Sequence, residues 1–400
     1  MGKKGVCVEK KRILMVHNFY QIGGGEHTVF ENEVKLLREH GHPVFTYTRS
    51  NEELKTSRLK LLLMPFTTLW SWKTYFEVRS LIRKENIQVV HCQNTFPLIS
   101  PSVYYAARSL KVPVVQTIHN FRFLCPCGTF YRDGKICEEC IQRGSFRPAL
   151  KYGCYRDSRV QTAVVAAMLG VHRLLGTYKK INYIFLTEFN KSKFAGLLDI
   201  RGSNVFVKPN FVNPVSLPQV QEKSSDFVFA GRLEQNKGLP FLLEAWKTVP
   251  EDYQLHIYGD GTFHAACEEA AKTQKNIHFH GFCPQQEVFA QLAKSVALLF
   301  PSEWYEGFPM LIGESFCLGV PLVCTTLGNH WDVVRQSGGG VGFPVGDTPA
   351  FRQALEEILQ NRRQYSDCAR AYYEKYLTEE ENYLVLSDVY ERAKHISGCP

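Results

Sequence analysis

The sequence predicts an α/β protein of two doubly wound, Rossmann-like units facing each other across a cleft. Three observations predict it. Short apolar, β-rich runs alternate with longer helical patterns; the alternation breaks and restarts near residue 226; and 400 residues are too many for one ordinary core but suit two. The hydrophobic fraction of 44 % is ample for both.

In the first unit the run ILMVHNFY (13–20) is the first strand, followed by the glycine turn Gly23, Gly24, Gly25 and a helical pattern that stops at Gly41. PVFTYT (43–48), IQVVHC (87–92), VPVVQTIH (112–119) and YIFLTE (183–188) supply further strands, nearly all apolar, as a sheet covered on both faces requires. The second unit repeats the pattern with DFVFAG (226–231), QLHIYG (254–259), NIHFHG (276–281), VALLFP (296–301) and PLVCTT (321–326). Between them, residues 208–226 carry three prolines and no regular period, which places a join there and gives domains of 1–210 and 211–375. Open α/β sheets bind ligands at the carboxyl ends of their strands, so the site is expected in the cleft between the units.

Charge is divided unevenly. Residues 1–210 carry a net of +17 and residues 211–400 a net of −9, so the first half is expected to meet something anionic. Nucleic acid ranks last among such partners and none is expected, because no helix-turn-helix, RNA-recognition or paired Cys/His pattern is present. The basic N-terminus runs straight into a strand without an apolar signal region, and the expected location is the cytoplasm. Eight of the thirteen cysteines are scattered singly (Cys7, Cys92, Cys267, Cys283, Cys317, Cys324, Cys368, Cys399), which suits reduced thiols better than a disulfide framework.

Three motifs carry chemistry. The glycines of QIGGGEHT lie between a strand and a helix, where backbone N–H groups and the helix terminus favour an anion; neither the dinucleotide fingerprint nor the P-loop ending is present. In AGRLEQNKG (230–238), Arg232 and Lys237 occupy a strand-to-helix loop where both can converge on a diphosphate. In EWYEGFPMLIGESF (303–316), Glu306 falls in a loop and Glu314 one to two turns inside a helix that Pro309 opens. The two carboxylates are therefore expected to touch different parts of one ligand, with the amides of Gly307, Phe308, Met310 and Leu311 beside it.

This ordered set, spread over almost the whole chain, resembles the retaining glycosyltransferases of family four, which have the GT-B fold. The resemblance implies transfer of a sugar from a nucleotide-diphosphate donor to a saccharide or lipid-linked acceptor, in polysaccharide or glycoconjugate biosynthesis. It implies that Glu306 holds donor-sugar hydroxyls, Glu314 the ribose, and Arg232 and Lys237 the diphosphate, while His119 faces the donor sugar and Gly24 and Gly25 line the donor site. No catalytic metal is expected. A tail from 376 to 400, including VYERAKHISG (389–398), is similar to the helix that returns to the N-terminal domain in GT-B proteins. A sugar-nucleotide epimerase of similar fold and a non-catalytic sugar-nucleotide-binding protein are the alternatives, and the intact set of two carboxylates and two cations argues against the second.

Five cysteines cluster in an insertion at about 122–160. Cys137 and Cys140 have the spacing of a metal pair, and Cys125 and Cys154 complete a four-thiolate structural zinc site, with Cys127 able to replace Cys125. The same thiols suit an iron–sulfur cluster. The run HNFRFLCP (119–126) followed by DGKICEEC (133–140) is similar to one in a subset of family-four enzymes of capsule and cell-surface polysaccharide synthesis. Finally, LKLLLMPFTTLWSWK (59–73), flanked by Lys55, Arg58 and Lys60, and the stretch from Arg156 to Lys180 mix apolar residues with cations, which suits peripheral contact with an anionic membrane on its inner face.

Overall fold

A computed structural model of the chain describes residues 9–21, 24–54, 58–196, 204–213 and 224–393, with the side chains of 58–61 excepted. Gly23, Cys7, Cys399, the side chains of Lys55, Arg58 and Lys60, the middle of the expected join and residues 394–400 lie outside the described residues.

In the first half, β1 (Ile13–Phe19), β2 (Val44–Ser50), β3 (Val89–Asn94), β4 (Val114–Ile118), a hairpin of β5 (Tyr131–Arg132) and β6 (Lys135–Ile136), β7 (Asn182–Phe185) and β8 (Val205–Val207) follow in turn. Apart from the hairpin they form one parallel sheet, ordered β2-β1-β3-β4-β7-β8. The second half adds β9 (Asp226–Ala230), β10 (Gln254–Tyr258), β11 (Ile277–Gly281), β12 (Ala297–Phe300), β13 (Leu322–Thr325) and β14 (Gly340–Phe343), a parallel sheet ordered β11-β10-β9-β12-β13-β14. Each order reverses once, between β1 and β3 and between β9 and β12, and such a reversal opens a crevice at the strand ends.

Apolar clusters cover both faces of each sheet, which is why the strands read as continuous apolar runs. β8, β14 and the hairpin have no such signature in the sequence. β8 is only Val-Phe-Val, and β14 reads as a turn because Gly340 and Gly342 interrupt it. Both glycines are imposed by packing: a Cβ on Gly340 would lie 2.2 Å from the Leu322 carbonyl oxygen, and one on Gly342 would lie 2.5 Å from the Trp331 ring.

The helix Glu379–Arg392, capped by Thr378, packs Tyr383, Leu386, Val389 and Tyr390 into the same cluster as Ile13, Met15, Val89 and Val115 of the first sheet. Two buried polar contacts fix its position: the Tyr390 hydroxyl meets His91 Nδ1 at 2.8 Å, and Lys208 Nζ donates to Asn382 Oδ1 at 2.7 Å. The last described helix thus completes the core of the first domain. No helix among the described residues is long and apolar enough to cross a membrane.

Candidate active site

At the reversal of the second sheet, the loops that follow β9 and β12 are stitched together. Glu303 N–H donates to the Asn236 carbonyl at 2.9 Å. Gly238, at φ +73°, is pressed so closely on Pro301 that a Cβ would lie 1.9 Å from its carbonyl oxygen. This contact brings Lys237 to Glu306, with Nζ and Oε1 at 2.7 Å. Ser302 Oγ and Trp304 Nε1 donate to the same Oε1 at 2.8 and 2.7 Å, whereas Oε2 takes no hydrogen bond among the described residues and is left for a ligand. Glu306 is 5 % exposed; burial works to raise its pKa, but the Lys237 charge and the three donors prevail and hold it below the usual carboxylate range.

The helix Met310–Cys317 starts directly after this loop, with Pro309 as its N-cap, so its unpaired first-turn N–H groups add partial positive charge at the same place. Glu314, in its second turn, accepts from Gln285 Nε2 at 2.8 Å. Burial prevails over that one donor and pushes its pKa up to about 7. A carboxylate short of donors suits a vicinal diol. Arg232, just after the end of β9, is exposed and, among the described residues, makes no side-chain hydrogen bond or ion pair, which leaves its guanidinium for a ligand.

The first domain closes the other side. A Cβ on Gly307 would lie 2.6 Å from the His119 carbonyl oxygen, so the end of β4 touches the Glu306 loop. Gly25, which opens the helix Gly25–Glu39, lies within 3.8 Å of Met310 Cγ by the same construction, while Gly24 beside it faces open space. The domains are also joined through Asn329, whose Nδ2 donates to the Glu306 carbonyl and whose Oδ1 accepts from the Thr187 hydroxyl. His119, Gly25, Lys237, Glu306, Gly307 and Met310 therefore stand together where the two domains meet, with Gly24 next to Gly25 in the chain.

His119 is neutral and has a fixed tautomer. Burial lowers its pKa to about 4, with Lys208 and His91 adding to that against Glu33. Its Nε2 bonds Gln93 Oε1, and Gln93 Nε2 donates to Glu33 Oε2. Glu33 forms a fully buried ion pair with Lys208 at 2.7 Å; burial works to raise its pKa, but Lys208 and His91 hold it down. An ionised carboxylate only accepts, so Gln93 must turn its oxygen to His119. His119 thus carries its proton on Nε2 and a lone pair on Nδ1.

Sequence reading missed these supporting residues, together with His17, Glu26 and His27 beside the glycine loop. Their ligand atoms lie within 4.8 Å of one another. Glu26 is pushed up to about 7 by burial, against Arg122 and a bond from Asn94, and His17 down to about 3 by burial and by His119 and His27. Titratable residues flanking a loop already singled out were the available signal.

A cavity in the first domain, at the ends of β3 and β4, is lined by Gln93, Tyr104, Gln116, His119, Arg122 and Met168 among others. It shares His119 with the cleft.

The fold brings the cysteines of the insertion near one another, and Cys127, Cys137, Cys140 and Cys154 bear on one another's charge; a four-thiolate site needs sulfurs ~3.8 Å apart around a metal about 2.3 Å from each. Cys125 and Cys127 are in contact at 3.2 Å, but no three of the described thiols lie within 4.8 Å of one another. Burial works against the charge on Arg132, yet Cys137, Glu139 and Cys154 raise its pKa, so a guanidinium stands among the thiols expected to bind a dication.

Residues 22–143 match the family described as Glycosyltransferase Family 4, and residues 224–361 that described as Glycosyl transferases group 1, together well over half the chain. The chain is similar to the D-rhamnosyltransferase WbpZ of Pseudomonas aeruginosa, 30 % identical over 148 residues. That alignment covers 36 % of this chain and 38 % of the relative, so the match spans well under half the relative's length. Among solved structures, a glycosyltransferase from Rickettsia africae superposes with a TM-score of 0.67 at 16 % identity, covering 96 % of this chain and 98 % of the other. Anabaena HepE in complex with UDP superposes at 0.64 and 13 % identity, covering 95 % and 99 %. These superpositions show the same two-domain GT-B fold.

Proposed function

We propose that this chain, which belongs to the family-four glycosyltransferases, moves a sugar from a nucleotide-diphosphate donor to a saccharide or lipid-linked acceptor with retention of anomeric configuration. The observation that carries the reading is the Lys237–Glu306 pair at 2.7 Å, set at the reversal of the second sheet and covered by His119 of the first domain. HepE, a structural neighbour, was solved with UDP, which supports a nucleotide diphosphate as the carrier here.

The residues divide the work. Arg232, Lys237 and the N-terminus of helix Met310–Cys317 offset the charge that grows on the leaving diphosphate as the C1–O bond lengthens. Glu306, through Oε2, holds donor-sugar hydroxyls, and Glu314 takes the ribose diol. His119 accepts a sugar hydroxyl at Nδ1. The acceptor oxygen bonds C1 on the face the phosphate leaves, and its proton passes to a phosphate oxygen, so no enzyme nucleophile is used. The cavity that shares His119 adjoins the cleft in which the acceptor must meet C1, and the Cys-rich insertion, which follows His119 directly, borders that cavity through Arg122 and Phe123.

Incubation with nucleotide sugars and glycolipid or oligosaccharide acceptors, followed by NMR of the product, tests this reading. The same anomeric configuration as the donor, and a rate lowered ~10²-fold or more by Lys237→Ala, are expected. An inverted product would overturn the retaining mechanism.

A further inference from the structure

Among the described residues fourteen large hydrophobic side chains are exposed, and ten of them belong to two stretches, 62–76 and 152–175. Scattered exposed apolar residues are ordinary, but such concentration is not. In the helix Arg159–Leu174 the exposed positions beyond Arg159 are Val160, Ala163, Ala167, Val171 and Leu174, spaced three or four apart. That is the stripe where a surface helix normally carries its charges. Val160 is 75 % and Leu174 90 % exposed. The opposite stripe is buried, and there Met168 and Leu169 line the cavity that shares His119.

The second stretch lies alongside. The helix Arg58–Leu69 packs on Arg159–Leu174, and His172 Nε2 bonds the Leu69 carbonyl at 2.9 Å. Phe66 is 71 % exposed on it, and on the next helix, Trp72–Lys84, Trp72 and Phe76 stack on each other with their rings at 5.9 Å while 63 % and 60 % exposed. Charge around these stretches is predominantly positive, with Glu77 on helix Trp72–Lys84 paired to Lys73 at 4.0 Å. Residues 54–76 hold four Lys and Arg and no acid, and residues 142–180 hold eight against Asp157 alone.

We infer that the exposed face of helices Arg58–Leu69, Trp72–Lys84 and Arg159–Leu174 is a docking face for an anionic lipid bilayer. Apolar and aromatic side chains enter the head-group boundary, and the basic residues meet lipid phosphates. The charge selects a bilayer over a second copy of the chain, because two such faces brought together would repel. The inference deepens the transferase reading, on which it rests for the identity of the acceptor alone: a helix that lies on the bilayer with one stripe and reaches the cavity beside His119 with the other favours an acceptor anchored in lipid.

The test is co-sedimentation of the purified full chain with vesicles of phosphatidylcholine, with and without phosphatidylglycerol, alongside the double variant Phe66→Asp, Leu174→Asp. Both positions are exposed, so the fold is expected to survive, and circular dichroism checks it. Partition onto phosphatidylglycerol vesicles should exceed that onto phosphatidylcholine at least tenfold and fall at least tenfold in the double variant, while nucleotide-sugar binding by calorimetry stays unchanged. Absence of vesicle binding, binding that survives both substitutions, or a solution dimer that they dissociate would each overturn the inference. Donor binding in the same samples reports separately on the transferase reading.

Discussion

Glu314 and Glu306 share a cleft and differ in state because their partners differ. Glu306 has a lysine and two further donors and stays ionised, whereas Glu314 has burial and one amide and titrates near neutrality. The sign follows from linkage: a carboxyl whose folded pKa is raised stabilises the empty protein below the usual carboxylate range, and loses that contribution as pH rises through about 7. Ligand binding runs the other way, since ribose hydroxyls donate to the ionised form. Affinity for a nucleotide sugar should therefore rise roughly tenfold between pH 6 and 8, and Glu314→Gln should flatten that rise, both read by calorimetry across pH. At His119 the relay through Gln93 acts on orientation. Gln93→Leu should lower kcat about tenfold or more with donor Kd nearly unchanged; an unchanged kcat would deny His119 a fixed role.

The loop after β12 and its contact with the end of β4 decide whether the two halves of the site meet. Gly307→Ala puts a methyl group 2.6 Å from the His119 carbonyl oxygen, and that oxygen belongs to a packed strand end that does not yield. The variant should fold with a melting temperature close to that of the parent, because the crowding lies between domains, yet lose most of its transfer activity. Much at this scale was legible in the sequence. The strand ends carrying His119, Arg232 and Glu306 stand out because apolar runs stop there and Gly, Pro or charge begins. The partners of those residues were not legible: Gln93 lies on β3, Glu33 on the helix Gly25–Glu39 and Lys208 just after β8, and only the folded sheet with that helix packed on it brings these separate segments together. The cysteine spacing marked the cluster, whose thiols the fold brings near one another with Arg132 beside Cys137 and Cys154; spacing along the chain does not fix how closely they approach.

At the scale of the whole molecule, the chain returns to finish its first domain. Leu386 is fully buried in the cluster that covers β1 and β3, so Leu386→Ala should cost about 2–5 kcal/mol in urea denaturation, although the residue lies more than 350 positions from that sheet's first strand. Glu33→Ala, which strands Lys208 in the same interior, should cost about 3–5 kcal/mol. The apolar and charge patterns made the two sheets and their cleft visible in advance; the helix that locks the first sheet was visible only through the resemblance, because its own pattern does not say which surface it covers. The central claim is that this cleft holds a nucleotide sugar between Glu314, the Lys237–Glu306 pair and His119. Calorimetric titration of UDP-, GDP-, ADP- and TDP-sugars into the wild-type chain and into Glu314→Ala tests it most directly. Selective binding of one donor, weakened at least tenfold by the substitution, is the predicted result; a folded wild-type protein that binds none of them would contradict the account.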